Sequence, residues 1–158
     1  VIFYLTFSGN NKSMKTRVIT ICCSASFYRQ ALEVQEDLQK RGFKVKIPHT
    51  ANKMKKSGDF NVDHYKTWYK NPRDYAKKAK LMRQHFKKVV ECDAILVLNY
   101  EKKGMQGYIG GNGLMEMALA FHVRKPIYIL NPVFESSPLY EEILGMNPVF
   151  LNGDLKKI

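Results

Sequence analysis

Between Tyr108 and His122 the sequence carries one charged side chain, Glu116, in the run GGNGLMEMALAF. A carboxylate among small and apolar neighbours is costly to bury unless chemistry or a specific partner accounts for it. In the first turn of a helix it would meet free backbone N–H groups and the positive end of the helix dipole. In a ligand crevice it would be available to react. At about 100° per residue, Glu116 shares a helical face with Asn112, Gly113, Leu119 and Ala120, a mostly small surface that leaves room for a ligand. Leu114, Met117 and Phe121 form a separate stripe suited to packing on a sheet.

His85 is the second residue able to do chemistry. It lies in an apolar helical stripe with Met82, Phe86 and Val89, which fits a core histidine satisfied by one hydrogen bond. With an ordinary pKa of about 6.5, it also suits a general acid at neutral pH. His49, His64 and His122 have no ligand spacing relative to one another, and no metal site is assigned. Cys22, Cys23 and Cys92 have no metal-ligand spacing either, and their odd number argues against a disulfide framework. Free thiols in an apolar run act as small hydrophobes, and a reducing, cytoplasmic setting is expected. GYIGG lacks the spacing of a dinucleotide-binding fingerprint, and no acidic residue ends the second strand. No nucleophile-elbow motif supports serine–histidine–acid hydrolysis.

The elements that position these residues are legible as alternating runs. RVITICC (17–23) is a continuous apolar run, the pattern of a buried parallel strand. Residues 27–42 have helical periodicity through Ala31, Leu32, Val34, Gln35 and Leu38, with Gly42 as the stop. FKVKI (43–47) alternates like a strand. Residues 49–71 are polar and aromatic without clear periodicity, which predicts a long functional or mobile loop. Residues 72–91 start with proline and carry an apolar stripe at 81, 82, 85, 86, 89 and 90, predicting a core-facing helix. DAILVLN (93–99) is the third strand, and a glycine-bearing loop leads into the helix of Glu116. PIYIL (126–130), LYEEILG (139–145) and PVFL (148–151) supply a strand, a short helix and a fifth strand.

This alternation predicts one α/β domain, a three-layer flavodoxin-like (Rossmann-like) sandwich around a five-stranded parallel sheet of order 2-1-3-4-5. Met14 is a plausible natural start, with residues 1–13 an extension or tag and 14–158 the domain. Ligands in such folds bind beyond the carboxyl ends of the strands, at the switch between strands one and three. The loops CCSASF, NYEKKGMQGYIGGNG and NPVFESSP converge there. They nominate Ser24, Ser26, Asn99, Gly110, Gly111, Asn112 and Gly113 as binding residues beside Glu116 and His85.

The chain has a net charge of +12, and residues 51–90 hold 12 of its 26 basic residues but 3 of its 14 acidic ones. Such a segment attracts phosphate on a nucleotide, a nucleic acid or a lipid surface, or is merely a solvated face. Its lysines interleave with Phe60, Tyr65, Trp68 and Tyr69, a mixture that could stack a base and hold a phosphate, or pack upon itself. No apolar run approaches the roughly 20 residues of a membrane span, and VIFYLTF is too short for a signal peptide and has no basic segment before it.

SAS after the first strand, then CDAILVLNY and GGNGLMEMALAF followed by KPIYIL, resemble the nucleoside 2-deoxyribosyltransferase superfamily, which includes deoxynucleoside 5'-monophosphate N-glycosidases. The resemblance extends over residues 17–151 in the order and spacing of elements. It implies that Glu116 is a nucleophile that attacks an anomeric carbon and holds a covalent sugar ester, and that Ser24 binds the 5' end of the substrate. It also implies a nucleoside or nucleotide ligand, no cofactor, and a homo-oligomer, dimer or higher. The chain departs from the family at Thr20, where a strand tyrosine is usual, at His85, where an aspartate stands, and at Gly110, where an aspartate or serine stands. Asp93 matches a strand-opening aspartate and reads as a strand-end residue at the far edge of the sheet.

The expected function is N-glycosidic bond cleavage or deoxyribosyl transfer, with Glu116 as nucleophile and His85 protonating the departing base in place of the aspartate. The basic segment favours a phosphorylated substrate. A non-catalytic nucleotide sensor is the alternative, favoured by the missing aspartate. A nucleic-acid-binding module built on residues 51–90 is a third, without a recognisable reader motif.

Overall fold

The structure, a computed structural model, describes residues 16–158; the boundary expected at residue 13 lies outside them. Five strands, β1 (Val18–Cys23), β2 (Lys44–Lys46), β3 (Ala94–Leu98), β4 (Ile127–Ile129) and β5 (Val149–Phe150), form one parallel sheet of order β2-β1-β3-β4-β5. Five helices connect them: α1 (Tyr28–Lys40), α2 (His49–Ser57), α3 (Tyr75–Glu91), α4 (Gly111–His122) and α5 (Tyr140–Gly145). This is the flavodoxin-like topology expected from the alternation of runs. No helix among the described residues is long and apolar enough to cross a membrane.

Strand periodicity divides the core between the two faces of the sheet. Ile19 and Ile21 of β1 and Leu96 and Leu98 of β3 pack with Ala31, Val34 and Leu38 of α1 and Ala51 of α2. Cys22, Ile95, Val97 and Ile129 face the other way, against Val89 of α3, Met117 and Ala120 of α4 and Ile143 of α5. Thr20 also faces α3, and its hydroxyl donates to the Lys88 carbonyl at 3.0 Å. Two residues on along β1 is about 6.6 Å, and three residues back along the oppositely running α3 is about 4.5 Å. Those steps lead from the Thr20–Lys88 bond to Cys22 and His85, whose Sγ and Nε2 lie 3.7 Å apart.

Three expectations change. Residues 49–71 are not one loop. Helix α2 starts after Pro48, stops at Gly58 in the left-handed region (φ 71°), and buries Ala51 and Met54 one turn apart. Three 3₁₀ turns follow, at Val62–His64, Thr67–Tyr69 and Pro72–Asp74, so the α-helical part of the next element begins at Tyr75. Val90 and Phe121, expected in packed stripes, are 44% and 54% exposed, because α3 and α4 bury narrower faces centred on His85 and Val89 and on Glu116, Met117 and Ala120.

Asp93 is the strand-opening residue expected, its Oδ2 accepting from the Val18 N–H at 2.7 Å. Asn99, fully buried after β3, ties two crevice loops together. Its Nδ2 donates to the Asn131 carbonyl at 2.9 Å and its Oδ1 accepts from the Asn131 N–H at 2.8 Å. Gly107 approaches the same loop with φ 65°, and a Cβ there would sit 2.3 Å from the Pro132 carbonyl oxygen. Asn99→Ala should therefore lower the unfolding free energy by about 1–3 kcal/mol, since it leaves buried backbone groups unpaired. Urea denaturation checks this, and an unchanged midpoint would mean that the two loops hold together by other contacts.

Candidate functional site

The carboxyl end of β1, Lys102 and Tyr108 of the loop after β3, the start of α4, the middle of α3 and residues from 48 to 69 enclose a cavity of about 370 Å³, within the range of small-molecule sites. Seven of the nine nominated residues line it: Ser24, His85, Gly110, Gly111, Asn112, Gly113 and Glu116. Ser26 is exposed and Asn99 is committed to Asn131; neither lines the cavity.

Glu116 sits in the second turn of α4 rather than the first, as the sixth residue from Gly111. Its side chain is not a cap. It is 9% exposed and meets the elements packed on α4: Oε1 is 3.7 Å from His85 Nε2, and that nitrogen is in turn 3.7 Å from the Cys22 Sγ. Burial pushes Glu116 up to about 8, with the nearby Cys22 thiol pulling the other way. Burial, followed by the Lys88 charge, pushes His85 down to about 4, opposed by the Ile21 carbonyl. Both groups are thus neutral at pH 7. The Cys22 thiol is held well above its usual range by burial and then by Glu116. His85 Nδ1 is buried with no hydrogen-bond partner.

The glycine-bearing loop places the start of α4 against the cavity. Gly110 at the N-cap has no side chain to satisfy the free N–H groups of the first turn, and Gly111, Asn112 and Gly113 line the wall there. Lys66, Lys78 and Lys102 add positive charge. Lys66 is lowered by burial and then by the Lys78 charge, and Lys102 by burial and then by the charges of Lys66 and Lys103. The ion pairs among the described residues include none of these three lysines. Lys102 Nζ donates to Ser24 Oγ at 3.0 Å and lies 4.8 Å from the centre of the Tyr108 ring, so a first-loop serine and a third-loop lysine act together.

The aromatic segment divides its residues between packing and the cavity. Phe60 lies under the Arg29 guanidinium at 4.0 Å, while Tyr65, Trp68 and Tyr69 line the cavity wall. Trp68 is 7% exposed, and its indole N–H has no partner. His64 pairs with Asp59 at 2.6 Å, away from the cavity. Cys22, Lys102 and Tyr108 are site residues that sequence reasoning did not nominate, whereas Lys66 and Trp68 belong to the lysine and aromatic mixture it singled out. Only alternation along β1, which turns Cys22 toward α3, could have signalled the first. No metal site follows from spacing along the chain, yet Cys22, His85 and Glu116 offer three ligand atoms within 4.8 Å of one another.

The two shifted groups give stability a defined pH dependence. Glu116 binds its proton more tightly when folded, so its contribution is complete below about 4.5 and is lost as pH rises through about 8. His85 binds its proton more weakly when folded, so its contribution is complete above about 6.5 and is lost as pH falls through about 4. Between about 4.5 and 6.5 the two slopes oppose each other. Melting temperatures in metal-free buffer should therefore fall between about pH 6.5 and 8, and Glu116→Gln should flatten that decline. A decline of the same size in the variant would assign it to other groups.

The chain matches no protein-family model and no curated protein sequence.

Proposed function

We propose that this protein cleaves or transfers the N-glycosidic bond of a nucleoside 5'-phosphate through a covalent ester on Glu116. The observation that carries the reading is a single carboxyl group at the buried end of a ligand-sized cavity, beside an imidazole, with unpaired lysines and an open helix start along the same walls. It accords with the resemblance to nucleoside 2-deoxyribosyltransferases, in which the glutamate after such a glycine-bearing loop is the nucleophile. Lys66, Lys78, Lys102, Ser24 and the first-turn N–H groups of α4 suit a phosphate. The rings of Tyr65, Tyr69 and Trp68 suit a base.

A protonated Glu116 is a poor nucleophile, and its neighbour supplies the remedy. The carboxyl proton passes to His85 Nε2, 3.7 Å away and a small side-chain rotation from contact. The carboxylate attacks the anomeric carbon as the bond to the base breaks, and the imidazolium returns that proton to the leaving nitrogen. Water then cleaves the sugar ester and restores the carboxyl group; a second base in its place gives transfer. Each proton is accounted for within the pair. The transfer to His85 is uphill in the empty site, and developing positive charge on the sugar favours it by stabilising the carboxylate. On this reading the ligand is a small nucleotide rather than nucleic acid, and the protein assembles as a homo-oligomer.

A binding protein without turnover is the second reading, favoured by one observation: burial keeps Glu116 protonated at neutral pH. Chromatography for free base, run over deoxynucleoside 5'-monophosphates and their nucleosides, separates the two. The enzyme reading expects base release from wild type and none from Glu116→Gln, with ligand binding retained. Binding without release in wild type supports the sensor. In either case a monophosphate at about 100 times its dissociation constant should stabilise the fold by about 2.7 kcal/mol, and Lys102→Ala should weaken the monophosphate more than the nucleoside. Equal melting temperatures with and without saturating nucleotides would remove both readings.

His85→Asn tests the proton path, because Asn retains a hydrogen bond but supplies no acid near neutral pH. Poor leaving bases should slow most, and a substrate with an activated leaving group should be nearly unaffected. Uniform slowing, together with a lower melting temperature, would identify a purely structural histidine.

A further inference from the structure

We propose that Cys22, His85 and Glu116 form a binding site for one divalent cation of the zinc class. The three side chains come from β1, α3 and α4, all are buried, and their ligand atoms lie within 4.8 Å of one another. Two edges of the triangle are 3.7 Å, Cys22 Sγ to His85 Nε2 and His85 Nε2 to Glu116 Oε1. Tetrahedral ligands at metal distances of about 2.0–2.3 Å lie about 3.3–3.8 Å apart, so small rotations close the triangle on a cation.

Donor chemistry narrows the identity of the ion. Thiolate, imidazole and carboxylate together favour zinc and its neighbours over magnesium or calcium, which take oxygen ligands. Charge narrows it further. A divalent ion with one thiolate and one carboxylate makes a neutral centre, as a buried position requires. On loading, the thiol and carboxyl each release a proton to solvent, and the cation takes their place. Ligation through Nε2 leaves the proton on His85 Nδ1, which is buried. His85 and Glu116 border the cavity, which leaves a fourth position for water or a ligand atom.

The cation site stands independently of the glycosidic reading but bears on it. A metal-bound Glu116 gives up much of its negative charge to the cation and attacks an anomeric carbon poorly, and a bound His85 Nε2 cannot carry a proton. Zinc is therefore an inhibitor of base release, acting at the reacting groups themselves.

The untagged full chain, titrated with cobalt(II), should saturate at one equivalent. It should develop a thiolate-to-cobalt charge-transfer band and the intense visible bands of a four-coordinate ion, both erased by zinc. Cys22→Ser should abolish the charge-transfer band, and Cys23→Ser should keep it. His85→Gln and Glu116→Gln should each weaken binding by more than the roughly 10–100-fold that loss of an outer-sphere partner costs. X-ray absorption of the zinc-loaded wild type, which needs no variant, should show one sulfur among nitrogen and oxygen neighbours. No stoichiometric cobalt binding, a zinc site without sulfur, or a spectrum unchanged in Cys22→Ser would overturn the site. Base release that continues in protein whose spectrum shows full occupancy would overturn inhibition. Absence of base release in the metal-free protein would count against the glycosidic reading and leave the cobalt result to decide the site.

Discussion

A carboxyl group placed in a dry interior must either give up its charge or find a partner that carries the opposite one. Glu116 meets that demand on α4, and the surrounding elements are arranged around it. The Thr20 hydroxyl fastens α3 to β1 through the Lys88 carbonyl, which fixes where His85 falls along the sheet. Alternation along β1 then turns Cys22 to the same side. The result is a carboxyl, an imidazole and a thiol in mutual reach, each pushed by burial toward its neutral form. Three independent elements converge on one point, so a shift of any of them changes the protonation balance of all.

The neutral end of the cavity contrasts with its walls. Lys66 and Lys102 are lowered by burial and by neighbouring lysines, and Lys78 adds to the same positive field. An uncapped helix start contributes further positive potential from the same side. An anion settling among these groups relieves their repulsion without touching Glu116, and a neutral end discourages it from going deeper. The field would thus orient a ligand that has one anionic end and one neutral end. A phosphate bound along the walls would also raise the cost of ionising Glu116, which makes a local proton acceptor such as His85 more important.

The sheet was legible because parallel strands buried on both faces read as unbroken apolar runs, as in residues 18–23 and 94–98. Glu116 was legible as one charge in a small-residue helix. Helix α2 was not, since nine residues with two buried side chains leave almost no periodic signal; its start after Pro48 and stop at Gly58 were the usable marks. Asn99 shows the limit of residue chemistry as a guide. Its place after β3 was as expected for a crevice residue, but its amide was needed to join two loops. Cys22 was hidden for another reason. Its partners stand 63 and 94 positions away, and motif spacing cannot register a group assembled by the crossing of three elements.

The same requirement of neutrality links the two chemistries argued for this site. With two protons, one on the thiol and one on the carboxyl, the cluster is neutral and the second proton can move to His85. With one divalent cation in their place, the cluster is again neutral but has no mobile proton and no free carboxylate. The two states satisfy one electrostatic condition by exclusive means, so the proposed cation loading and the proposed glycosyl chemistry would compete for the same donors. Cys22 gives the competition its direction. It has no bond to make or break in the glycosidic sequence, yet it supplies the softest donor to a cation, so the thiol weights the site toward metal without adding to turnover.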